Sequence, residues 1–192
     1  KIIVYCYSIM SKYIESQDGD YLHIPEFILD EMVENPSIMM IAKRGGGKSW
    51  ITRAILYKYS HIPVGVIISP TDRDNTFYGN FYPSSFIFYE FDASIIRNLL
   101  IRQRLMTKKA KDKKAQGKFV DPRAIVVMDD CLASKGTWAK DPTIYDLLFN
   151  GRHRQIMYLL TMQFPLGISP ELRVNFDYIF LLADDHNSNL KR

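Results

Sequence analysis

The chain of 192 residues is long enough for one domain with a sizeable core, and its 47% hydrophobic and 24% charged residues are typical of a globular protein. Its two cysteines are too few for a disulfide framework, which favours a reducing compartment. The apolar runs are far shorter than the roughly 18 residues of a membrane span. The net charge of +4 is uneven, because residues 102–118 alone carry eight basic side chains and one acidic side chain.

Apolar runs of strand length alternate with helical patterns along most of the chain. Strands are predicted at residues 38–42, 64–69, 86–91, 124–128, 156–162 and 178–182. Helices are predicted from Lys48 to about Tyr59, from the cap Asp92 to a stop near Gly117 or Pro122, and over residues 142–150. The turn-rich residues 70–83 are predicted to form a loop. This order predicts an α/β three-layer sandwich with a mainly parallel sheet.

Residues 42–49 have the sequence AKRGGGKS, which fits the phosphate-binding P-loop pattern GxxxxGK[ST] except that Ala42 replaces the first glycine. A predicted buried strand precedes the motif and a predicted helix follows it, as such a loop requires. Lys48 would reach the β- and γ-phosphates of ATP, and the Ser49 hydroxyl would bind Mg²⁺. The alternative is a flexible glycine turn that happens to precede a lysine. The predicted nucleotide-binding residues are Ala42, Lys43, Arg44, Gly45, Gly46, Gly47, Lys48, Ser49 and Trp50.

The second motif is acidic. It has the sequence AIVVMDD at residues 124–130, a predicted buried strand that ends in two carboxylates. In the order that follows a P-loop, this pattern predicts the Walker B motif. Asp129 is the predicted partner of Ser49 in binding Mg²⁺, and Asp130 is predicted to polarise the water that attacks ATP. The alternative is a solvated turn at the end of a strand.

Five segments carry a resemblance to a known family: AKRGGGKSWITR, VIISPTDRDNTFY, VVMDDCLA, LFNGRHRQI and LLTMQFP. They resemble successive blocks of the DNA-packaging ATPases of poxviruses and giant viruses, in the FtsK–HerA superfamily of P-loop NTPases. The resemblance covers residues 37–184. It implies a RecA/FtsK–HerA type fold over residues 37–192, after an N-terminal extension of undetermined role at residues 1–36. Whether the domain is truncated at its C-terminus stays open.

The resemblance also implies an activity. The chain would be a Mg²⁺-dependent ATPase that drives double-stranded viral DNA into a capsid as a ring of identical subunits. A capsid or portal-vertex protein would be a partner, and the locations would be the host cytoplasm, at the viral factory, and the virion. A P-loop nucleotide or small-molecule kinase is the alternative enzyme, and a nucleotide-binding switch or scaffold is the non-enzymatic alternative.

Three further site residues follow from the resemblance. Gln163, at the end of a predicted strand, matches a glutamine that senses the γ-phosphate or orients water. Arg152 or Arg154 matches an arginine finger, which would reach the nucleotide of a neighbouring subunit. Arg44 is the rival and would act in its own subunit. The alternative for Gln163 is an ordinary amide at the end of a strand, and the alternative for Arg152 and Arg154 is an ordinary surface arginine.

Two other groups of side chains have a functional and a structural interpretation. The basic residues 102–118, which include the lysine segment (residues 108–114), are either a contact surface for the phosphates of duplex DNA, or the solvated end of a helix or a mobile loop. The candidate DNA contacts are Lys108, Lys109, Lys111, Lys113 and Lys114. Aromatic side chains at Phe77, Tyr78, Phe81 and Tyr82 either stack on bases or pack under a loop.

Overall fold

The computed structural model describes residues 26–131, 138–164 and 168–182, together with the backbone of three short N-terminal strands. These strands are β1 (Ile2–Cys6), β2 (Tyr13–Glu15) and β3 (Tyr21–His23). The other strands are β4 (Ser37–Ile41), β5 (Gly65–Ile68), β6 (Ile87–Phe88), β7 (Ala124–Asp129), β8 (Ile156–Met162) and β9 (Tyr178–Leu182). The helices are α1 (Lys48–Lys58), α2 (Asp72–Asn75), α3 (Ala93–Ala115), α4 (Pro142–Asn150) and α5 (Pro170–Arg173).

Seven strands form one sheet in the order β1-β9-β4-β8-β7-β5-β6, and every neighbouring pair is parallel. The carboxyl ends of the strands therefore share one edge, here named the carboxyl edge, and their starts share the opposite amino edge. Strand β8 lies between β4 and β7, with Ile41 opposite Met162 and Asp129 opposite Thr161. The residues that follow β4, β7 and β8 consequently meet at the carboxyl edge.

Hydrophobic layers cover both faces of the sheet. Alternate residues of each strand point to opposite faces, so Met39 and Val126 pack on one face, while Met40 and Val127 pack on the other. Helices α3, α4 and α5 contribute to the first layer, and α1 contributes to the second. The predicted α/β three-layer sandwich is confirmed. Because both faces are covered, β8 is buried along its whole length, as parallel strands usually are.

Helix boundaries follow local signals in the sequence. The Asp92 carboxylate accepts a hydrogen bond of 2.8 Å from the amide of Ser94 and so caps α3 as predicted. Asp141 caps α4 in the same way through the amide of Thr143, at 2.8 Å. Gly117 terminates α3. Its φ of +71° is left-handed, and this conformation lets the amide of Lys118 donate a hydrogen bond to the carbonyl of Lys113.

The structure differs from the prediction in three places. The strand expected at residues 86–91 is only two residues long, because its neighbour β5 ends at Ile68 and offers no further partner. The loop expected at residues 70–83 contains α2 and a 3-10 turn at Tyr78–Asn80. The expected N-terminal extension supplies β1, which pairs with β9 at one side of the sheet, and a hairpin of β2 and β3.

The expected ATPase domain also includes residues outside the described ranges, among them 183–192. None of the helices in the described part of the chain has the length and hydrophobicity of a membrane span.

Candidate nucleotide-binding site

A glycine turn (residues 42–47) joins β4 to α1 at the carboxyl edge. Gly45 and Gly47 have φ of +76° and +90°, and a side chain at Gly45 would meet no atom within 4 Å. The turn therefore needs glycine at Gly45 for its backbone conformation and not for lack of space. Ala42 is buried, its amide bonds to the carbonyl of Met162 at 3.1 Å, and its φ is not positive, so alanine fits the first position of the motif.

The start of α1 differs from the starts of α3 and α4. Gly47 is the residue before α1 and has no side chain to cap the helix, whereas an aspartate caps each of α3 and α4. The first amides of a helix are partners for an anion when no side chain caps them, and the helix dipole adds a favourable field. The local geometry at α1 is that of a phosphate-binding turn.

Lys48 folds back across this turn. Its Nζ donates a hydrogen bond of 2.7 Å to the carbonyl oxygen of Ala42, at the beginning of the turn. Burial lowers the pKa of the Lys48 ammonium, while the charges of Asp130 and Asp129 act in the opposite direction. Both carboxylates therefore act on this cation, and a bound anion would favour its charged form further.

Hydroxyl groups from neighbouring strands fix the Asp129 carboxylate at the end of β7. Ser69 Oγ, just after β5, donates a hydrogen bond of 3.2 Å to Oδ2, and Thr161 Oγ1 on β8 donates one to Oδ1. The phenol of Tyr78 also lies near this carboxylate: burial and, in second place, the charge of Asp129 raise the Tyr78 pKa well above its ordinary value. Asp129 thus has a defined orientation before any ligand binds.

Asp130 and Gln163 meet beside Asp129. The Nε2 of Gln163, just after β8, donates a hydrogen bond of 2.6 Å to Asp130 Oδ2. The Asp130 backbone has φ of +51°, which is uncommon for a residue with a side chain, and its amide bonds to the carbonyl of Thr161 at 3.2 Å. The turn after β7 therefore holds the second carboxylate against Gln163, as a water-orienting pair would require.

These groups line one cleft of about 690 Å³ at the carboxyl edge, a volume typical of ligand sites. Every predicted nucleotide-binding residue except Ala42 lines it, and Ala42 contributes its carbonyl to Lys48. The residues around the cleft are Lys43, Arg44, Gly45, Gly46, Gly47, Lys48, Ser49, Trp50, Thr52, Ser69, Thr71, Asp72, Asn75, Phe77, Tyr78, Asp129, Asp130 and Gln163. The cleft thus brings together the two motifs and the glutamine that the sequence singled out.

The two predicted metal ligands, Ser49 and Asp129, both line the cleft. Among the residues that the structure describes, no group of three or more His, Cys, Asp or Glu side chains could hold a metal ion by itself. A hydroxyl and a carboxylate suit Mg²⁺, which commonly takes one or two protein oxygens and completes its shell with water and substrate phosphates. The residues present therefore fit a magnesium ion that binds together with a nucleotide.

Sequence reasoning missed the segment that follows β5. Asp72 is buried, and its Oδ1 accepts a hydrogen bond of 2.9 Å from the amide of Tyr78, which places the Tyr78 ring beside Asp129. The signal was the polar sequence SPTD directly after a predicted strand, at the edge where ligands bind in parallel sheets. Of the aromatic cluster, Tyr78 and Tyr82 are buried, and Phe77 and Phe81 are half-buried against the core. Phe77 and Tyr78 also line the cleft.

The two candidate finger arginines lie far from the cleft of their own subunit. Arg152 and Arg154 form a 3-10 turn directly before β8, and the seven residues of β8 separate them from the carboxyl edge by about 20 Å. Arg154 donates two hydrogen bonds to Asp146, at 2.7 and 2.8 Å, and Arg152 forms an ion pair with Asp177. Arg44, in contrast, is exposed and lines the cleft.

The lysine segment forms the last part of α3. This helix begins at the carboxyl edge and is about 34 Å long, so it extends beyond the sheet at the amino edge. Buried Gln103 lies level with that edge. Its Nε2 donates hydrogen bonds to the carbonyls of Pro122, at 2.8 Å, and of Arg154, at 2.9 Å, and these two residues come just before β7 and β8. The lysines follow Gln103 along the helix. Lys113 is half-buried, and the other four are exposed, namely Lys108, Lys109, Lys111 and Lys114.

Two solved structures have a fold similar to that of this chain. The genome packaging NTPase B204 of Sulfolobus turreted icosahedral virus 2, in complex with AMPPCP, matches with a TM-score of 0.59 and 15% identity over 82% of this chain and 79% of that chain. The cytoplasmic domain of EssC matches with a TM-score of 0.59 and 14% identity over 92% of this chain and 37% of that chain. At these identities the likeness is one of fold, and it agrees with the predicted P-loop NTPase fold.

Sequence relatives come from viruses, while no model of a protein family matches the chain. Protein L437 of Acanthamoeba polyphaga mimivirus is 54% identical over 167 residues, which are 87% of this chain and 59% of that protein. Protein 088R of invertebrate iridescent virus 3 is 31% identical over 191 residues, which are 93% of this chain and 69% of that protein. The chain thus spans about three fifths of the mimivirus relative and about two thirds of the other. On the identity and coverage of the second match, the chain belongs to the same protein family as 088R of invertebrate iridescent virus 3.

Proposed function

We propose that the chain is the ATP-hydrolysing domain of a motor that drives double-stranded viral DNA into a capsid. The observation that carries this proposal is the meeting of Lys48, Asp129, Asp130 and Gln163 around one cleft with an uncapped helix start. A cation, two carboxylates and an amide at the place where a triphosphate would end are the groups that ATP hydrolysis needs. The fold shared with a viral genome packaging NTPase supports the proposal.

In the proposed reaction each group has one role. The amides of the glycine turn and the Lys48 ammonium bind the triphosphate of ATP. Asp130 accepts a proton from the attacking water, and Gln163, which is already bonded to Asp130, holds that water in line with the γ-phosphate. The preset hydrogen bond supports this assignment, because a pair that is positioned in advance needs little rearrangement in the transition state.

Ser49 and Asp129 are the residues that would hold Mg²⁺ in the cleft. When bound with ATP, the ion supplies positive charge that offsets the charge of the phosphate oxygens. The hydroxyl donors Ser69 and Thr161 keep the Asp129 carboxylate facing one direction, which favours a defined position for the ligand.

A finger from Arg152 or Arg154 could act only on the nucleotide of a neighbouring subunit, because both lie about 20 Å from their own cleft. Arg152 is the better candidate of the two. Its side chain is 55% exposed, whereas that of Arg154 is 14% exposed and is engaged twice by Asp146. Arg44 is the candidate within the subunit, since it lines the cleft.

The lysine segment is the proposed contact with DNA. Its exposed lysines project past the amino edge, away from the cleft, so the same subunit could bind DNA phosphates and ATP together. Contacts of this kind need charge and not base recognition, which suits a motor that moves any sequence. In this proposal the subunits form a ring around the DNA, beside a capsid or portal-vertex protein. The viral relatives support a location at the viral factory in the host cytoplasm and in the virion.

The test is the rate of ATP hydrolysis with and without duplex DNA, measured together with the mass of the protein in solution. A DNA-stimulated rate from an oligomer is expected. A monomer that transfers phosphate to a small molecule, with no effect of DNA, would instead support the kinase alternative.

A further inference from the structure

An exposed tryptophan stands at the mouth of the cleft. Trp50 follows Ser49 in the first turn of α1, lines the cleft and is 75% exposed. The second tryptophan, Trp138, is only 1% exposed, as expected for a large apolar side chain in a core. The packing of the described residues therefore leaves most of the Trp50 indole uncovered, beside a site that we propose to bind a nucleotide.

Two neighbours complete an aromatic rim, here defined as Trp50, Arg53 and Phe77. The guanidinium carbon of Arg53 lies 5.5 Å from the centre of the Trp50 ring and 5.6 Å from that of Phe77. Phe77 also lines the cleft, and its ring packs edge-on against that of buried Tyr78, with centres 4.9 Å apart. The cation thus bridges the exposed indole to a ring that is anchored in the core.

The loop before Phe77 contains a residue in an uncommon backbone conformation. Thr76 has φ of +46°, and a β-branched residue adopts this left-handed conformation only under strain. Thr76 ends α2 and directly precedes Phe77, where the chain turns back toward the cleft. Strained residues cluster at ligand sites, so the conformation agrees with a functional role for the Phe77 ring.

The rim fits a flat aromatic ligand. A nucleobase stacks on indole and phenyl rings through its π-face, and an arginine beside the rings adds a cation–π contact. Trp50 and Phe77 of the rim line the same cleft as the glycine turn, so one molecule with a planar group and a phosphate tail could occupy both ends. Every base has a π-face, so this kind of site tolerates different bases.

We propose that Trp50, Arg53 and Phe77 form the nucleobase subsite of the cleft, with the exposed indole as the stacking surface. This proposal rests on the proposed binding of a nucleoside triphosphate at the glycine turn. It adds the part of the ligand that the P-loop motif does not specify, because that motif recognises phosphates alone.

The experiment compares the affinities of ATP and of inorganic tripolyphosphate by calorimetry, for the whole chain and for two variants. Trp50→Ala removes the stacking surface. Tyr57→Ala is the matched control, because Tyr57 is an exposed aromatic residue on the same helix, at 63%, that does not line the cleft. Stacking of one base corresponds to about a 5- to 150-fold gain in affinity.

We expect Trp50→Ala to lower the affinity for ATP by about tenfold or more, within the range for one stacked base, and to leave that for tripolyphosphate unchanged. Tyr57→Ala should bind both ligands like the wild type, and Trp50→Phe should keep most of the ATP affinity. If Trp50→Ala binds ATP as tightly as the wild type while tripolyphosphate still binds, the nucleobase subsite is wrong and the phosphate site stands. If the wild type binds neither ligand, the proposed nucleotide site is itself wrong and the subsite falls with it.

Discussion

The side-chain amide of Gln163 donates a hydrogen bond of 2.6 Å to Asp130 Oδ2, which links the turns after two adjacent strands, β8 and β7. The bond forms between residues that no local sequence pattern connects. It exists because β8 lies between β4 and β7, so that Gln163 lies between the glycine turn and the two carboxylates of Asp129 and Asp130. The proposed roles in hydrolysis, with Asp130 as the proton acceptor and Gln163 as the residue that holds the water, depend on this arrangement.

Replacing Asp130 by asparagine should separate binding from hydrolysis. The amide oxygen of Asn can still accept the bond from Gln163, but it cannot take a proton from water. Asp130→Asn should therefore bind ATP nearly normally while hydrolysis falls by about 10²-fold or more.

Lys48→Ala should lose turnover through weak binding, because the phosphates are then left without their cation. Equal losses of ATP affinity in the two variants would contradict these roles, and calorimetry beside a phosphate-release assay measures both.

The Tyr78 hydroxyl, which lies near Asp129, should affect the requirement for magnesium. Tyr78→Phe keeps the buried ring but removes a polar group that faces the proposed magnesium ligand. We expect the Mg²⁺ concentration for half-maximal hydrolysis to rise several-fold. Tyr82→Phe is the matched control, since Tyr82 is a buried tyrosine whose pKa burial alone raises to about 12. The idea fails if the two variants have the same magnesium dependence.

The two arginines of the turn before β8 should differ in their contributions to stability. Arg154→Ala removes two charge-assisted hydrogen bonds to Asp146, and the free energy of unfolding in urea should fall by about 1–3 kcal/mol. Arg152→Ala removes a more exposed ion pair and should cost less than about 1 kcal/mol. A larger loss for Arg152 than for Arg154 would reverse this assignment.

The Arg154 effect should also depend on pH. Hydrogen bonds from Arg154 are the main reason that the pKa of Asp146 lies below its ordinary value. A carboxylate with a lowered pKa stabilises the fold above the pKa of the unfolded chain, and this contribution disappears as the pH falls through the folded pKa. The stability gap between wild type and Arg154→Ala should therefore be full at neutral pH and shrink only in acid.

Neutralising the exposed lysines of α3 tests the proposed binding of DNA. Substituting Lys108, Lys109, Lys111 and Lys114 by glutamine should weaken duplex binding and flatten its salt dependence, with the slope falling by ~0.9 for each DNA phosphate that is no longer neutralised. ATP hydrolysis without DNA should not change, because these residues lie beyond the amino edge and away from the cleft. An unchanged slope would mean that the segment is a solvated helix end.

The sequence predicted those parts of the site that local patterns determine. The glycine turn, the start of α1 and the strand that ends at Asp129 each depend on neighbouring residues, and the structure has them where the sequence placed them. The cap at Asp92 and the stop before Gly117 are local in the same sense. Such signals act over one turn of helix or one strand, and tertiary packing did not override them.

Interactions between distant segments could not be predicted in the same way. Asp72 and Tyr78 reach Asp129 only because β5 pairs with β7, and Thr161 reaches it only because β8 pairs with β7 on the other side. Strand order is a property of the whole sheet and leaves little trace in any one segment. The pairing of β1 with β9, at the two ends of the described chain, was missed for the same reason.

The most direct test of the proposed motor is hydrolysis by mixed subunits in the presence of duplex DNA. Lys48→Ala protein lacks a working cleft but keeps Arg152, and Arg152→Ala protein lacks the proposed finger but keeps its cleft. If neighbouring subunits complete each other's sites, each variant should be nearly inactive alone, and the mixture should recover activity at interfaces that join an intact cleft to an intact Arg152. No recovery, at concentrations where mass measurements show mixed oligomers, would contradict a shared site and direct the search to Arg44 within the subunit.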